Sequence, residues 1–202
     1  MGSDHYFSAS PRSESRTRKI TVRLAGRDVE LVTAAGVFSP EHLDQGTSLL
    51  LDTVPEPPQA GHLLDLGAGW GPIALALGLR APDATVWAVD VNERALELVR
   101  TNAARLGLTN VNAVTPSDVP DGIRFAAIWS NPPIRVGKQE LHAMLSQWLP
   151  RLEDDATAWL VVAKHLGAES LQRWLGDELG LEVERAQTSK GFRVLAADRP
   201  LD

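Results

Sequence analysis

Residues 62–80 read HLLDLGAGWGPIALALGLR, and the change of pattern within them decides the fold. The first five residues are mostly apolar, which is typical of a short buried strand. Three glycines follow (Gly67, Gly69 and Gly71), and such a run lets a backbone turn sharply and approach a ligand closely. Pro72 stands where the first turn of a helix tolerates a missing N–H. The stretch therefore predicts a strand, a glycine loop and a helix in immediate succession.

The alternation of strands and helices continues downstream of this stretch. Further strands are predicted at 84–90, 110–118, 124–131 and 157–164, and helices at 92–107, 140–152 and 168–180. This order indicates right-handed crossovers and a parallel sheet with helices on both faces. Two strands without a helix between them, at 181–189 and 192–199, add one antiparallel strand near the C-terminus. We predict an α/β fold with a doubly wound, Rossmann-like, mostly parallel seven-stranded sheet.

A β-hairpin extension is predicted before this core. Residues 19–25 alternate polar and apolar side chains, and 29–33 supply a partner strand across a turn at 26–28. An irregular connection (34–48) and a helix through Leu49 and Val54 follow. We expect one domain in three parts, namely a mobile basic arm at 1–18, the hairpin and helix extension at 19–60, and the core at 61–202.

The composition excludes several classes of protein. The chain has 202 residues, of which 44% are hydrophobic and 23% charged, as in ordinary globular proteins. No apolar run approaches the roughly 20 residues of a membrane helix, and the N-terminus lacks the apolar segment of a secretory signal. Cysteine is absent, which excludes disulfides and thiolate metal sites. The five histidines show no ligand spacing, so we predict no metal site, and we expect a cytoplasmic location.

The charge is unevenly distributed along the chain. The formal net charge is −6, but residues 1–27 carry +4, so the remaining residues sum to −10. An acidic body argues against binding nucleic acid over the whole surface, because such binding depends on neutralising phosphates. The basic N-terminal part is either a local contact for RNA or a solvated tail.

Four polar residues end the predicted parallel strands, namely Asp65, Asp90, Asp118 and Asn131. Ligands of open α/β sheets bind beyond the carboxyl ends of the strands, so these side chains are expected to share one crevice. An acid at Asp90, 19 residues after Gly71, suits the two hydroxyls of a ribose, although it could also cap the following helix.

The glycine spacing separates two classes of ligand. The loop is GxGxG rather than the GxGxxG of a dinucleotide site. S-adenosylmethionine has no phosphate and carries an ammonium group, which Asp65 can hold unless its carboxylate bonds loop amides instead. Asp118 can accept from an adenine amino group, or it is a turn-forming residue.

The segment SNPPIRVGK (130–138) follows an apolar strand and begins with a rigid asparagine-proline-proline. The side-chain oxygen of Asn131 and the carbonyl of Pro132 can both accept hydrogen bonds from one exocyclic –NH₂ group. They would aim its nitrogen at an electrophilic methyl group without a strong base, through positioning and local dipoles.

At these motifs the chain resembles the class I S-adenosylmethionine-dependent methyltransferases. It is most similar to the small-subunit (16S) ribosomal RNA guanine-N2 methyltransferases, including their short single-domain form. The resemblance covers nearly the whole chain and rests on DHYFS (4–8), AGVFSPEHLDQGTSLLL (35–51), DLGAGWG (65–71), VDVNERA (89–95), SD (117–118), NPPIRVGK (131–138), GAES (167–170) and SKGFRVL (189–195).

The resemblance implies S-adenosylmethionine as cofactor and RNA, from ribosomal RNA or the small ribosomal subunit, as partner. Segments 37–39 and 44–47 would close over the site. The implied cofactor-binding residues are Asp65, Gly67, Ala68, Gly69, Gly71, Asp90, Val91, Asp118 and Asn131. Asn131 and Pro132 are the implied catalytic residues, and substrate contacts are expected from Phe38, Pro133, Ile134, Arg135 and Lys138.

One departure from the family concerns the base. Many amino-directed relatives carry an aromatic residue after the two prolines, where its ring stacks on a flipped base. Ile134 offers apolar contact only, so Phe38 or Trp70 would have to replace it. Several cations lie near the carboxyl ends of the predicted strands or in their loops. They either form a phosphate-facing rim or are scattered and solvated, and they are Arg135, Lys138, Lys164, Lys190 and Arg193.

Three alternatives stay open at this point. The same chemistry would also suit a protein glutamine or a small-molecule amine. A nicotinamide-dependent oxidoreductase is disfavoured by the glycine spacing and by the lack of a Tyr/Lys pair for hydride transfer. A noncatalytic RNA-binding module would retain the fold without activity.

Overall fold

The computed structural model describes residues 17–133 and 137–200. The strands are β1 (Thr17–Leu24), β2 (Arg27–Ala34), β3 (His62–Leu66), β4 (Thr85–Val89), β5 (Val111–Val114), β6 (Phe125–Ser130), β7 (Leu152–Ala163), β8 (Glu182–Ser189) and β9 (Phe192–Asp198). The helices are α1 (Gln45–Thr53), α2 (Pro72–Arg80), α3 (Glu93–Leu106), α4 (Lys138–Trp148) and α5 (Ala168–Leu179). Residues 1–16 of the predicted basic arm lie outside the described residues.

Seven strands form one sheet in the order β5-β4-β3-β6-β7-β9-β8. The pairs along the sheet from β5 to β7 are parallel, whereas β9 is antiparallel to both of its neighbours. The crossovers require helices between the parallel strands, as the alternating sequence pattern indicates. The predicted Rossmann-like sheet with one antiparallel strand is confirmed.

Helices cover both faces of this sheet. Leu63 and its neighbours in β4 and β6 pack against α1, α2 and α3, whereas Leu64 packs on the other face with α4 and α5. Successive residues of a strand point to opposite faces, so each buried strand needs apolar side chains throughout. This explains why the central strands are nearly continuous apolar runs. Helix α1, predicted as part of the N-terminal extension, contributes Leu50 to the main core.

The N-terminal hairpin is joined by a tight two-residue turn at Ala25 and Gly26. Leu24 pairs with Arg27, and the φ angles of the two turn residues are 47° and 77°. Positive φ at both positions is typical of a type I′ turn, whose twist matches that of the flanking strands. The predicted turn at 26–28 is therefore wrong by about one residue, and Asp28 lies within β2.

The hairpin packs on the outer sides of α2 and α3. Leu24 and Leu31 contact a cluster that includes Trp70 and Leu98. Asn102, fully buried in α3, accepts from Val32 N at 2.8 Å and donates to Val32 O at 2.9 Å. One asparagine side chain thus replaces a strand partner for β2 and fixes the hairpin to the core.

Other element ends differ from the sequence prediction. Strand β5 ends at Val114 rather than at Asp118, because Pro116 begins a short 3-10 turn that contains Asp118. Helix α1 begins at Gln45, inside the predicted irregular connection, and α4 ends at Trp148, before another 3-10 turn. Across the described ranges, no helix is long and apolar enough to cross a membrane.

Substitutions at Ala25 and Gly26 test the type I′ turn of the hairpin. Ala25 is in the left-handed region, where an L-residue with a Cβ is strained and asparagine is better tolerated. We expect Ala25→Asn to raise the free energy of unfolding by about 1 kcal/mol, and Gly26→Ala to lower it by a similar amount. Urea unfolding measures both. Ala35→Asn, at an exposed alanine without positive φ, is the control; an equal effect at both alanines would contradict the turn assignment.

Candidate active site

The carboxyl ends of β3, β4 and β6 bring the predicted site residues to one edge of the sheet. Asp65 lies in β3 beside Ala88 of β4 and Trp129 of β6. Asp90 directly follows β4, and Asn131 directly follows β6. Three of the four side chains that the sequence placed at strand ends therefore lie on adjacent strands.

The glycine loop is held against the end of β4. Gly67 N and Ala68 N donate to Val89 O at 2.8 and 3.0 Å, and Gly69 N donates to Asp90 Oδ2 at 2.8 Å. All three glycines of the loop have positive φ. At Gly71 a Cβ would lie 2.9 Å from Val99 Cγ2, so this glycine also allows the close packing of α2 on α3. The loop is fixed by backbone contacts before any ligand arrives.

Asp90 connects the glycine loop with the start of α3. Its Oδ2 accepts from Gly69 N, and its Oδ1 accepts from Asn92 N at 2.9 Å. Burial raises the pKa of Asp90, and the hydrogen bonds from Asn92 and Gly69 oppose that rise. The N-cap of α3 is Asn92, whose side chain accepts from Arg94 N. The alternative assignment of Asp90 as the helix cap is therefore wrong.

Asp65 is fully buried beneath the glycine loop, with 0% of its surface exposed. Its Oδ2 accepts from Ala74 N in the first turn of α2 at 2.8 Å. Its Oδ1 has no hydrogen-bond partner among the residues that the structure covers. Burial raises the pKa of Asp65 to about 8, and the charge of Asp90 adds to this effect. A buried acceptor without a partner is a candidate contact for a cationic ligand group.

Val91 and Asp118 follow β4 and β5 at the same carboxyl edge of the sheet, and both are more exposed than Asp65 and Asp90. Val91 follows Asp90 and is 50% exposed, one of few large apolar side chains with that exposure. Asp118 follows β5 by four residues, and its Oδ2 accepts from Thr115 Oγ1 at 2.6 Å. One Asp118 oxygen thus closes a capping box, and the other is available to a ligand.

Asn131 contacts the start of α1. Its Nδ2 donates to Asp44 Oδ2 at 2.8 Å and to Thr47 Oγ1 at 2.9 Å. Within the described ranges no donor contacts its Oδ1. Pro133 lies close to the loop, since a Cβ on Gly67 would be 3.6 Å from its Cδ.

Of the remaining predicted substrate residues, the structure describes Phe38 and Lys138. Phe38 is 40% exposed, and Lys138 at the start of α4 donates to Ser170 Oγ at 3.4 Å. The predicted substrate residues Ile134 and Arg135 lie outside the described residues. Trp70, considered as a stacking residue, is buried and donates from Nε1 to Ser39 O at 3.2 Å.

The predicted cationic rim is incomplete in the structure. Arg193 is buried, and its Nη2 contacts Glu169 at 3.3 Å, so it does not belong to an exposed rim. Lys164 and Lys190 are exposed. The hairpin cations Arg18 and Lys19 pair with Glu41 and Glu30, respectively. Such exposed pairs contribute little to stability.

Sequence reasoning did not assign roles to several residues that hold this site together. Asp44 and Thr47 were placed only within a segment expected to close over it, and Asn92 and Asn102 were given no role. An aspartate directly before a helix is a recognisable N-cap signal, and it could have identified the cap at Asp44. No local pattern indicates the contact of that cap with Asn131.

The chain matches a known family over most of its length. The model of the methyltransferase small domain matches residues 28–196. The chain belongs to this family. The predicted class of enzyme, an S-adenosylmethionine-dependent methyltransferase of class I, is confirmed, and so is S-adenosylmethionine as the cofactor of the family.

Two relatives illustrate the range of lengths in the family. An uncharacterised Bacillus subtilis protein, YbxB, is 38% identical over 98% of this chain and 99% of its own length. The ribosomal RNA small subunit methyltransferase C of Ectopseudomonas mendocina is 34% identical over 95% of this chain. The match covers 57% of that relative, so the chain spans little more than half of it.

Solved structures share the fold. The Thermus thermophilus 16S rRNA N2 methyltransferase, in complex with AdoMet and guanosine, superposes with a TM-score of 0.80 at 24% identity, over 94% of this chain and 52% of that one. A methyltransferase from Pyrococcus furiosus gives a TM-score of 0.65 at 22% identity, over 83% of this chain and 91% of that one.

Among the described residues no group of three or more histidines and acids could hold a metal ion.

The buried carboxyl of Asp65 predicts a pH dependence of stability. Its pKa in the folded protein is about 8, against about 3.9 in an unfolded chain, so the unfolded state loses the proton first as pH rises. We expect the free energy of unfolding to fall between about pH 4 and pH 8. In Asp65→Asn this part of the decrease should be absent, so the variant should gain stability relative to wild type towards pH 8.

Urea unfolding across this pH range measures the effect. Asp83→Asn, at an exposed aspartate between α2 and β4, is the matched control and should follow the wild-type curve. Parallel curves for wild type and Asp65→Asn would contradict the raised pKa.

Proposed function

We propose that this methyltransferase transfers the methyl group of S-adenosylmethionine to an exocyclic amine, guanine N2 in small-subunit ribosomal RNA. The observation that carries the proposal is the amide of Asn131, held at the carboxyl end of β6 by Asp44 and Thr47 with its oxygen available to a donor. The E. mendocina relative is a ribosomal RNA methyltransferase and the T. thermophilus structure is a complex with guanosine, which supports RNA and guanine. A ribosomal substrate also fits a cytoplasmic location.

The residues at this edge fit S-adenosylmethionine. Asp90 Oδ2 accepts from Gly69 N of the loop and Oδ1 from Asn92 N at the start of α3, and each oxygen keeps a further lone pair, so the two can also accept two ribose hydroxyls. Val91 offers apolar surface to an adenine ring, and Asp118 offers its second oxygen to the adenine amino group. The unpartnered Oδ1 of Asp65 suits the ammonium group, and Gly67, Ala68, Gly69 and Gly71 allow close approach.

The chemistry requires little from the protein beyond positioning. S-adenosylmethionine supplies a methyl group on a positively charged sulfur. Asn131 Oδ1 and the Pro132 carbonyl accept the two N–H groups of the amine and turn its lone pair towards that carbon. The nitrogen–carbon bond forms as the carbon–sulfur bond breaks. The electron pair of the broken bond stays on sulfur. The amine nitrogen then releases one proton to water.

Substrate contacts come from the rim of the crevice. Phe38 presents an exposed ring, and Lys138 presents a cation close to the start of α4 and α5. Pro133 adds apolar surface beside Gly67. The roles of Ile134 and Arg135 stay predictions because both lie outside the described residues. The acidic body restricts phosphate contacts to local groups of cations, including the basic part at 1–27.

A transfer assay with radiolabelled S-adenosylmethionine tests the substrate class. Bare 16S rRNA, assembled small subunits and a protein extract are offered separately, and labelled RNA is digested to nucleosides for mass spectrometry. We expect N2-methylguanosine from one of the RNA substrates. Label in the protein extract alone would instead favour a protein glutamine, and an absence of label in all three would contradict an active methyltransferase.

Two variants separate amine binding from cofactor binding. Asn131→Ala should lower kcat by about 100-fold or more, because it removes a preorganised acceptor, with the Kd for S-adenosylmethionine within about threefold of wild type. Asp90→Ala should weaken cofactor binding most, since it removes the carboxylate that accepts from the loop.

Single-turnover assays and calorimetry measure the two effects. Asn112→Ala, at an exposed position on β5 away from the loop, is the control. An equal loss of cofactor affinity in Asn131→Ala and Asp90→Ala would refute the separate role of Asn131.

A further inference from the structure

The first turn of α1 contacts Asn131 through two side chains that the proposed chemistry does not itself use. Asp44 is the N-cap of α1, and its Oδ2 accepts from Gly46 N at 2.8 Å and from Thr47 N at 3.1 Å. The same oxygen accepts from Asn131 Nδ2, and Thr47 Oγ1 lies 2.9 Å from that nitrogen. Asp44 and Asn131 are 87 residues apart in sequence, so only the fold brings them together.

We propose that Asp44 and Thr47 are positioning residues that hold the Asn131 amide with its oxygen towards the substrate amine. This inference rests on the proposed function, because it explains how Asn131 keeps one orientation. An asparagine amide can rotate by 180° at little cost, which exchanges an acceptor for a donor. A donor facing the crevice would repel the N–H groups of the amine.

The chemistry of the contacts selects one orientation. The cap oxygen of Asp44 already accepts two backbone N–H groups, so it acts only as an acceptor towards its neighbours. The group of Asn131 that faces it must therefore be the –NH₂ end. Because the bond involves a carboxylate, it is stronger than a bond between neutral groups. The amide oxygen is left for the crevice.

The geometry around Asp44 leaves little freedom for the carboxylate. A Cβ on Gly46 would lie 2.9 Å from Asp44 Oδ2 and 3.0 Å from the ring of Phe192, so glycine is needed for this approach. Thr47 is 3% exposed, which restricts its hydroxyl to a few positions. The motif Asp-Gln-Gly-Thr at 44–47 follows from these contacts. Asp44 caps the helix, Gln45 is exposed, Gly46 allows the close approach, and Thr47 is the second side chain that contacts Asn131.

The arrangement also affects the strength and selectivity of Asn131. A hydrogen bond from Nδ2 to a carboxylate polarises the amide and strengthens Oδ1 as an acceptor. A site that presents two fixed acceptors selects a planar amine with two N–H groups. It rejects a carbonyl or ring nitrogen at the same place, because two acceptors would then face each other.

Three variants test the positioning role kinetically. Thr47→Val removes the hydroxyl and keeps the shape, Thr47→Ser keeps the hydroxyl, and Asp44→Asn keeps an N-cap while it removes the charge. We expect Thr47→Val, which loses a hydrogen bond to Asn131, to lower kcat by about 10- to 100-fold, and Asp44→Asn, which makes the other hydrogen bond neutral, to lower it by about 5-fold or more. The Kd for S-adenosylmethionine should stay within about twofold, and Thr47→Ser should recover most of the activity.

Thr53→Val is the matched control, since the hydroxyl of Thr53 donates to Leu49 O at 2.6 Å on the same helix without contact to Asn131. It should leave kcat unchanged. The proposal is overturned if Thr47→Val keeps wild-type kcat, or if it weakens cofactor binding as much as it lowers kcat.

A spectroscopic measurement tests the contact without any substrate. In protein labelled with ¹⁵N-asparagine, the side-chain amide signal of Asn131 is identified by its absence in Asn131→Ala. We expect its two protons to be widely separated and slow to exchange in wild type, and to shift in Thr47→Val and Asp44→Asn but not in Thr53→Val. An Asn131 signal insensitive to both variants overturns the proposal. A wild-type protein that methylates no amine refutes the proposed function instead, while this signal still decides the positioning contact.

Discussion

The parallel pairing of β3 with both β4 and β6 is the constraint on which the site depends. It places Asp65, Asp90 and Asn131 at one edge of the sheet. At this edge Ser130 Oγ donates to Leu66 O at 2.6 Å and links the ends of β6 and β3. Because side chains alternate along a strand, a slip of one residue would turn Asp65 to the opposite face of the sheet. The apolar contacts on both faces prevent that slip, so the core determines the geometry of the chemistry.

Burial of the Asp65 and Asp90 carboxyl groups near the glycine loop lowers the stability of the folded chain but provides acceptors for a ligand. Asp90 offsets the cost of burial with amide donors on both oxygens, whereas Asp65 keeps one oxygen without a partner. Burying an acid in this way favours its neutral form. A cation bound at Asp65 would supply the missing partner and favour the charged form. The buried Asp65 Oδ1, which lacks a partner among the described residues, is thus well suited to a positive ligand group.

Local sequence patterns were sufficient for the fold and for the strand-end residues, but not for contacts between distant segments. The glycine loop, Pro72 and the apolar strands identified the sheet because each acts within a few residues. The turn at Ala25 and the 3-10 turn at Asp118 depend on backbone angles that composition indicates only weakly. The contact of Asp44 with Asn131 and that of Val32 with Asn102 span 87 and 70 residues, and one sequence holds no signal of such pairs.

The proposed hydrogen-bonding role of Asn131 also bears on the absence of an aromatic residue after the two prolines. Stacking and apolar contact discriminate weakly between bases, whereas a site with fixed hydrogen-bond acceptors strongly rejects a group that lacks the matching donors. Within the described part of the chain, Phe192 supplies a ring near the first turn of α1, and Phe38 presents an exposed ring. Their positions do not need to define the base if the amide of Asn131 does. A rigid amide, supported from α1, can therefore give selectivity for an amine even where Ile134 replaces a stacking ring.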